Sequence, residues 1–422
     1  MSRKQKLDEA LLNLIIIDAQ PLSLVENEGF RAFVQLLDPT YVIPGRKALK
    51  QMLENKYRVA KDNAVAEIKK TSTVSLTSDM WTSINMDAYL AVTCHYINEE
   101  MQLSTLLLGI KRFPCSHTAA NIAEAKETLM AEWKIRAKVK TLVTDSAANM
   151  IACANLLNVR HISCFAHMLN LVVKKSLAQT PGLDEIRTRA RKIVVHFKSS
   201  TTAREKLSEI QRQMGRPEHK LLQEVDTRWN STFAMLQRLH EQREPLAAAL
   251  SSLNTTLIPF SAEEYETISQ CLSVLSPFHE ATAEMSTENR VSGSKVIPIV
   301  KMLKHFTARQ CTTVKVATNL VSKINSNLQE KFAMLEKITP LTLATLLDPR
   351  FKEVGFCSTS SCQAAVERLT RECANQMPAP AQQLPPAEGT GHSQANSLWG
   401  PLDSHVETQR ASSSTANAIA EV

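Results

Sequence analysis

The amino-acid sequence predicts an α/β domain combined with an all-α domain, preceded by an N-terminal helical segment. Short apolar, β-branched runs follow one another between residues 71 and 113, which is typical of strands. Elsewhere apolar residues recur three and four positions apart, which is typical of amphipathic helices. Only 10 of the 422 residues are glycine, so a turn-dense β architecture is disfavoured. This length allows two or three domains.

Strands and helices alternate in a defined order in the second segment of the chain, residues 71–180. Three strands with short spacers predict an antiparallel meander, and helix–strand alternation follows. The predicted strands are Thr73–Thr77, Ala88–Ile97, Leu103–Phe113, Lys138–Thr144 and His161–Cys164, with helices at Thr118–Lys134, Ala147–Leu157 and Ala166–Leu177. This βββαβαβα order fits the ribonuclease H-like fold, a mixed sheet with helices on its faces.

The remaining segments are predicted from periodicity and composition. Residues 1–70 form the N-terminal helical segment, and residues 181–355 form a second helical domain. A short helix is expected at 356–375. Residues 376–422 are rich in Pro, Gln, Ser and Gly, which predicts a disordered linker and a truncated C-terminus.

Composition and charge narrow the function classes. The net charge is +7, and the segment Arg187–Lys220 holds ten Lys or Arg against three Glu, an excess equal to that of the whole chain. Such a patch can neutralise phosphates, although a solvated helix face explains it equally well. Nine cysteines without a CxxC pair indicate reduced thiols in the cytosol or nucleus. No transmembrane span or signal peptide is recognised, so no membrane partner is expected.

Two aspartates follow apolar strands, Asp79 in VSLTSDMWTS and Asp145 in VTDSAANM. The carboxyl ends of strands carry functional groups in open α/β sheets, and two carboxylates there can hold divalent cations for phosphoryl transfer. Turn formation or helix capping is the alternative role for each.

Two further motifs carry candidate site residues. Cys164 and His167 lie three positions apart, but two ligands do not close a zinc site, so structural roles are expected, a packed core cysteine and a hydrogen-bonded histidine. In Asp226-Thr-Arg-Trp-Asn-Ser-Thr232, an exposed Trp229 beside Arg228 would stack an unpaired base. A tryptophan that anchors the helix by packing is the favoured alternative without other support.

Six blocks in order closely resemble the hAT superfamily of DNA transposases: SLTSDMWTS, VTDSAANM, CFAHMLNL, FKSSTTAREKL, EVDTRWNSTFAML and LLDPRFK. The upstream VENEGFRAFVQLLDPTYVIPGRKAL resembles the domesticated, ZBED-like branch that carries BED-type zinc fingers. The resemblance implies that the helical domain, residues 181–355, is an insertion that interrupts the ribonuclease H-like fold. It implies that Asp79 and Asp145 match the first two acids of the family's acidic triad. It also implies that Cys164 and His167 match its CxxH block. Arg228 and Trp229 match its RW block, where tryptophan contacts a flipped base.

Three parts of the family pattern are not recognised in this sequence: a BED finger, the third catalytic glutamate and the C-terminal dimerisation module. We therefore expect a monomeric, non-catalytic nuclear protein that binds DNA weakly and salt-sensitively, or binds protein partners, in transcription regulation. No cofactor is expected, with Mg²⁺ held weakly by Asp79 and Asp145 only if activity remains. The expected DNA-binding residues are Arg187, Arg189, Arg191, Lys192, Lys198, Arg204, Arg228 and Trp229.

Two alternative functions stay open from the sequence. The first is a residual metal-dependent nuclease or strand transferase that uses Asp79 and Asp145. The second is a SUMO-linked protein-interaction scaffold without DNA binding, for which no RING-type cysteine pattern is recognised.

Overall fold

The computed structural model describes residues 1–286 and 292–376 of the chain. Contacts divide it into two compact units, Met1–Ser163 and a second unit that begins at Cys164. The first holds N-terminal helices and a mixed sheet, and the second is helical, which confirms the predicted fold class. The predicted disordered segment 376–422 lies outside the described residues except for Gln376.

The first unit follows the predicted order of strands and helices. Its elements are α1 Arg3–Ile17, α2 Glu28–Leu37, α3 Arg46–Lys70, β1 Val74–Thr82, β2 Ala88–Ile97, β3 Leu103–Arg112, α4 Ala119–Glu132, β4 Val139–Thr144, α5 Ala148–Leu156 and β5 Arg160–Ser163. The main difference is β1, which continues five residues past the predicted end because pairing with β2 extends to Thr82.

The sheet has the strand order β3-β2-β1-β4-β5. β1 pairs antiparallel with β2, and β2 pairs antiparallel with β3, as a meander requires. β1 pairs parallel with β4, and β4 pairs parallel with β5. The parallel strands therefore end at one rim of the sheet, where the carboxyl ends of β1, β4 and β5 lie.

Alternation along the strands places the core of the first unit on one face of the sheet. In β2, Leu90, Val92 and Cys94 are buried, and the residues between them are half-buried. Ile122 of α4 and Cys153 of α5 belong to the same buried cluster. The helices that follow β3 and β4 therefore cover this face, because β-branched and aliphatic side chains there need an apolar partner.

The N-terminal helices have their own small core and one unusual cap. Leu11, Ile15, Val25 and Leu49 are buried together. At the far end of α3, Lys138 Nζ donates to three backbone carbonyl oxygens, those of Ile68 at 2.9 Å, Lys69 at 2.6 Å and Thr71 at 2.7 Å. The last carbonyls of a helix lack intrahelical partners, so this ammonium group stabilises the end of α3.

The second unit is built from helices around one apolar cluster. Its helices are α6 Phe165–Ala178, α7 Pro181–Ser199, α8 Thr201–Gln213, α9 Trp229–Glu241, α10 Arg243–Ser252, α11 Ala262–Met285, α12 Val296–Ala308, α13 Lys315–Phe332, α14 Thr339–Leu347 and α15 Thr359–Gln376. Local sequence features determine where several helices begin. Pro181 lies in the first turn of α7, and Ser261 forms a capping box with Glu264 at the N-terminus of α11.

The division between the units falls after Ser163, whereas residues 71–180 were assigned from sequence to the sheet domain. The difference is α6, whose buried side chains Leu169, Val173 and Leu177 belong to the core of the helical unit. An amphipathic helix is placed by the apolar surface it covers, which periodicity alone does not identify. No helix of the described chain is long and apolar enough to cross a membrane.

Candidate functional site

Asp79 and Asp145 lie on neighbouring parallel strands at the same rim of the sheet. The pairing of β1 with β4 runs through Leu76 opposite Leu142 and Thr77 opposite Val143. Two residues further along each chain come Asp79, inside β1, and Asp145, directly after the end of β4. Adjacent strands lie about 4.8 Å apart, so the register places both residues at the same rim of the sheet, at the ends of neighbouring strands.

Each carboxylate uses one oxygen for a local hydrogen bond. Asp79 is exposed, and its Oδ1 accepts from the backbone N–H of Met80 at 2.9 Å. Asp145 is half-buried, and its Oδ1 accepts from the backbone N–H of Ala147 at 3.2 Å, just before α5 begins. The second oxygen of each group has no hydrogen bond to the described residues, so both remain open to a ligand.

The acid pair fits one weakly held divalent cation better than a two-metal site. Mg²⁺ is held in proteins by one or two carboxylates together with water and substrate oxygens. Within residues 1–286 and 292–376, no group of three or more His, Cys, Asp or Glu side chains could hold a metal ion. Asp79 and Asp145 therefore lack a third ligand in the described chain, which a two-metal strand-transfer site requires.

A buried lysine lies behind Asp145, and sequence reasoning missed it. Lys126 of α4 is fully buried, with its Nζ 3.7 Å from Met150 Sδ. Burial lowers the pKa of Lys126, while Cys153 and Asp145 act in the opposite direction by favouring its charged form. The signal was present in the sequence, because Lys126 stands four positions after Ile122 on the apolar face of α4.

His161 joins the same polar cluster. Its Nε2 lies 2.9 Å from Thr144 Oγ1, and that hydroxyl also donates to the backbone carbonyl of Asp145. Burial lowers the pKa of His161, and the charge of Lys126 lowers it further, so the neutral imidazole is favoured. These contacts fix the backbone at Asp145 from behind the rim.

Cys164 and His167 lie at the start of α6, in the second unit. Cys164 precedes the helix as its N-cap residue and is a half-buried free thiol. His167 is half-buried in the first turn, and its ring has no hydrogen bond to any described residue. The hydrogen-bonded histidine expected from sequence is therefore not found, and packing is the contact that remains for both side chains.

Three of the arginines expected to bind DNA are engaged with the protein's own carboxylates. Arg187 bonds Glu224 at 2.5 Å and Asp184 at 3.0 Å, and only 14% of its side chain is exposed. Arg189 pairs with Glu264 and lies over the ring of Phe260.

Arg191 contacts Glu224 at 3.5 Å and Asp226 at 3.8 Å. This corrects the expectation for Arg187, Arg189 and Arg191, because side chains held in these pairs support helix packing and are not free for phosphate.

The other residues of the basic segment that were expected to bind DNA, Lys192, Lys198 and Arg204, are exposed. Lys192, Lys198 and Arg204 have no carboxylate partner among the described residues. Lys198 and Arg204 line a groove of about 510 Å³ with Lys220, at the junction of α7, α8 and the segment after α8. We call Lys198, Arg204 and Lys220 the basic groove. The lining also includes Arg212, Glu205 and Glu218, and Glu218 pairs with Arg212 at 3.4 Å, so the groove is mixed and has a cationic excess of two.

Trp229 is buried, which corrects its expected role in stacking an unpaired base. The residue is 2% exposed, and its ring makes edge contacts with Phe233 and His279 at centroid distances of 6.3 and 6.4 Å. Its backbone N–H donates to Asn170 Oδ1 at 3.0 Å. The packing alternative therefore describes Trp229, while Arg228 precedes α9 and is exposed.

Glu224 is the second residue that sequence reasoning missed. Its side chain is 1% exposed and receives hydrogen bonds from Arg187 of α7 and Thr232 of α9. A buried carboxylate that joins two helices is stable only with such partners. Nothing in the block EVDTRWNST marks Glu224 for burial, since a single acid before a helix is ordinarily solvated.

Comparison with known proteins agrees with this geometry. Residues 77–169 match the model of the ZBED1 RNase-like domain, and residues 162–274 match that of the ZBED1 RNase-like helical domain. "Zinc finger BED domain-containing protein 4" of Homo sapiens is 28% identical over 83% of this chain and 31% of its own length.

Two further relatives come from a plant and a fungus. "Putative AC transposase" of Zea mays is 27% identical over 81% of this chain and 44% of its own length. "Putative transcriptional regulator tpeD" of Talaromyces stipitatus is 25% identical over 83% of this chain and 45% of its own length. The chain thus spans less than half the length of each of these relatives. In its two matched domains and over most of its length, the chain is similar to ZBED proteins and to a hAT transposase, which supports the resemblance to a ZBED-like protein derived from hAT transposases.

Proposed function

We propose that this chain is a nuclear, non-catalytic DNA-binding protein that acts in transcription regulation. The observation that carries the proposal is the basic groove, where Lys198, Arg204 and Lys220 are exposed and line one depression. Exposed cations without carboxylate partners release counterions when they meet a phosphate backbone. The names of the relatives, which include a transcriptional regulator and zinc finger BED proteins, support the regulatory role and a nuclear location.

The groove predicts a particular kind of binding. Phosphate contacts carry no sequence information, so the groove alone gives weak, sequence-independent affinity. Each cation that contacts a phosphate contributes about one unit to the slope of log affinity against log salt. Three groove cations therefore account for a slope of about −3, and the bound duplex is released as salt rises.

A salt series of gel shifts with blunt duplex DNA tests the proposal. The triple variant Lys198→Ala, Arg204→Ala and Lys220→Ala should weaken binding to all sequences and reduce the salt slope by about three. A matched control removes three exposed lysines of equal charge elsewhere in the helical unit, Lys315, Lys331 and Lys337. Equal losses in the groove variant and the control, or a wild-type salt slope in the groove variant, would refute the groove as the binding surface.

The proposal includes the absence of strand chemistry, and the acid pair supports it. Asp79 and Asp145 supply two carboxylates, while phosphoryl transfer by two metal ions needs further ligands to place both ions. Weak binding of one Mg²⁺ is proposed for the pair, with no catalytic role. Protein partners remain part of the same regulatory proposal.

A residual metal-dependent nuclease is the second candidate function, and the placement of Asp79 and Asp145 at one rim of the sheet, beyond the paired ends of β1 and β4, is the observation that favours it. If the candidate holds, Mn²⁺- or Mg²⁺-dependent cleavage of DNA will be seen with the wild type and lost in Asp145→Asn. The exposed Asp62→Asn variant is the control for a general effect of removing one carboxylate. Cleavage that persists in Asp145→Asn would come from a contaminant, and this candidate would then be abandoned.

A further inference from the structure

The β1–β2 hairpin extends beyond the rim that holds the acid pair. The pairing of β1 with β4 stops at Thr77 opposite Val143, but the pairing of β1 with β2 continues to Thr82 opposite Ala88. The residues beyond Asp79 are therefore supported by β2 alone. We call this projection, residues 80–88, the hairpin finger.

An aromatic pair lies at the base of the hairpin finger. Trp81 stands two residues after Asp79 in β1 and therefore projects from the same face of the sheet. Its ring stacks on Tyr89 of β2, with centroids 5.7 Å apart and planes 18° from parallel. Trp81 is 40% exposed, so Tyr89 supports one side of the indole while much of the ring meets solvent. The stack orders the ring before any ligand arrives, which lowers the entropy cost of binding.

The remaining side chains of the finger are unusually apolar for a solvent-facing turn. Ile84 is 101% exposed and Met86 is 83% exposed. Arg112 of β3 stands opposite Tyr89 in the register of β2 with β3, is 66% exposed, and is held by an ion pair with Asp87. One projection therefore presents an aromatic face, two apolar tips and a guanidinium group.

We propose that Trp81 is a stacking platform for an unpaired nucleobase, with Ile84 and Met86 as an apolar wedge beside it. Two residues along a strand cover about 6.8 Å, roughly the reach of one nucleotide, so a base on Trp81 places its backbone toward the rim. Arg112 is held by Asp87, so stacking on Trp81 supplies the added affinity and a phosphate contact of Arg112 does not. Base stacking on an aromatic ring is sequence-tolerant, and apolar wedges are used by proteins that unstack DNA.

The inference rests on the proposed DNA binding and specifies the form of DNA that is preferred. The basic groove holds any duplex through its phosphates, whereas Trp81 adds affinity only where a base is unpaired. A protein partner would bind the hairpin finger with any large apolar side chain at position 81. A stacked nucleobase requires an aromatic side chain there.

Tryptophan fluorescence of the full chain provides the test. Trp133 and Trp229 are 3% and 2% exposed, so Trp81 is the solvent-facing tryptophan of the described chain. Trp399 lies outside the described residues, and a Trp399→Phe background removes its signal. Two duplexes of identical sequence, one fully paired and one with a single unpaired base, are titrated in EDTA, which prevents metal-dependent cleavage.

The duplex with the unpaired base should quench Trp81 and bind about tenfold more tightly than the paired duplex. The variants lack the Trp81 signal, so their binding is followed by fluorescence anisotropy of the same duplexes carrying a fluorescein label, with the wild type measured alongside. Trp81→Leu should lose the preference and keep the affinity for the paired duplex, while Trp81→Phe should retain most of the preference. Far-UV circular dichroism checks that both variants fold. Wild-type preference in Trp81→Leu would overturn the stacking inference and favour a protein partner. Failure of the wild type to bind either duplex would refute the proposed function as well, whereas equal binding of both refutes this inference alone.

Discussion

Glu224→Gln tests whether the EVDTRWNST block supports helix packing. The carboxylate is 1% exposed and accepts from Arg187 at 2.5 Å, and Thr232 also donates to it. The substitution keeps the shape of the side chain and removes its charge. Arg187 then faces a neutral amide in a site where 14% of its side chain reaches solvent. Loss of one partner of a buried ion pair costs about 3–5 kcal/mol.

The remaining contacts of the arginines reduce this cost. Arg187 keeps Asp184 at 3.0 Å, and Arg191 keeps Asp226 at 3.8 Å. The amide of the new glutamine still accepts one hydrogen bond. We therefore expect a loss of about 2–3 kcal/mol in the free energy of unfolding of the helical unit. This is about the cost of losing one hydrogen bond to a charged group and leaving its donor partly without a partner.

Urea denaturation followed by circular dichroism at 222 nm measures the loss, with Glu209→Gln as the control. Glu209 pairs with Lys206 on the surface of α8, and removal of an exposed pair should leave the midpoint unchanged. The double variant Glu224→Gln, Arg187→Met should recover part of the stability, because the largely buried guanidinium that loses Glu224 is removed as well. A midpoint for Glu224→Gln that equals that of the control would refute the structural role of Glu224.

Three further changes test the first unit and the packing of the second. Lys126→Met should raise the free energy of unfolding by about 1–2 kcal/mol near neutral pH, because an apolar side chain replaces a buried amine. Burial lowers the folded-state pKa of Lys126, so the unfolded chain binds more protons and wild-type stability rises with pH. The advantage of the variant should therefore shrink toward the unfolded lysine pKa, and a constant advantage across that pH range would contradict the burial argument. Lys138→Met should lower the free energy of unfolding by about 1–2 kcal/mol, seen as a lower thermal midpoint, because three carbonyls at the end of α3 lose their donor. Lys140→Met, on the exposed side of β4, is the control and should leave the thermal midpoint unchanged. Gly355→Ala should cost about 1–3 kcal/mol in urea unfolding, since a Cβ there would lie 2.7 Å from Thr345 Cγ2, and an unchanged midpoint would contradict that packing.

The order of strands and helices along the chain was predictable because each element has a local sequence pattern. Alternating apolar runs separated by short turns predicted the meander β1–β3, and helix–strand alternation predicted β4 and β5. The extension of β1 to Thr82 was not predictable, because Met80, Trp81 and Thr82 are held by pairing with β2 and not by an apolar pattern of their own. The hairpin finger was missed for this reason.

Whether a basic side chain is ion-paired or free to bind DNA was less predictable than the order of strands and helices. Arg187, Arg189 and Arg191 look like a solvated basic stripe, but their partners are distant in sequence. Glu224 lies 37 residues from Arg187, and Glu264 lies 75 residues from Arg189. Only the packed helices bring these charges together, so composition overstates the number of cations free for DNA.

The burial of Trp229 was not predictable, for a related physical reason. A tryptophan at the first turn of an amphipathic helix can face either solvent or the core, and the rotation of α9 against α11 decides between them. The structure buries Trp229 against His279 of α11 and leaves Trp81 exposed beside the acid pair. The family motif thus identified a tryptophan, but not its exposure.

Hydrogen exchange of the full chain with and without blunt duplex DNA tests the central claim most directly. The account predicts slower amide exchange across residues 198–221, which hold the basic groove, and unchanged exchange across residues 315–337 on α13 and the turn after it. Protection confined to 315–337, or no protection in 198–221 at a saturating DNA concentration, would contradict it.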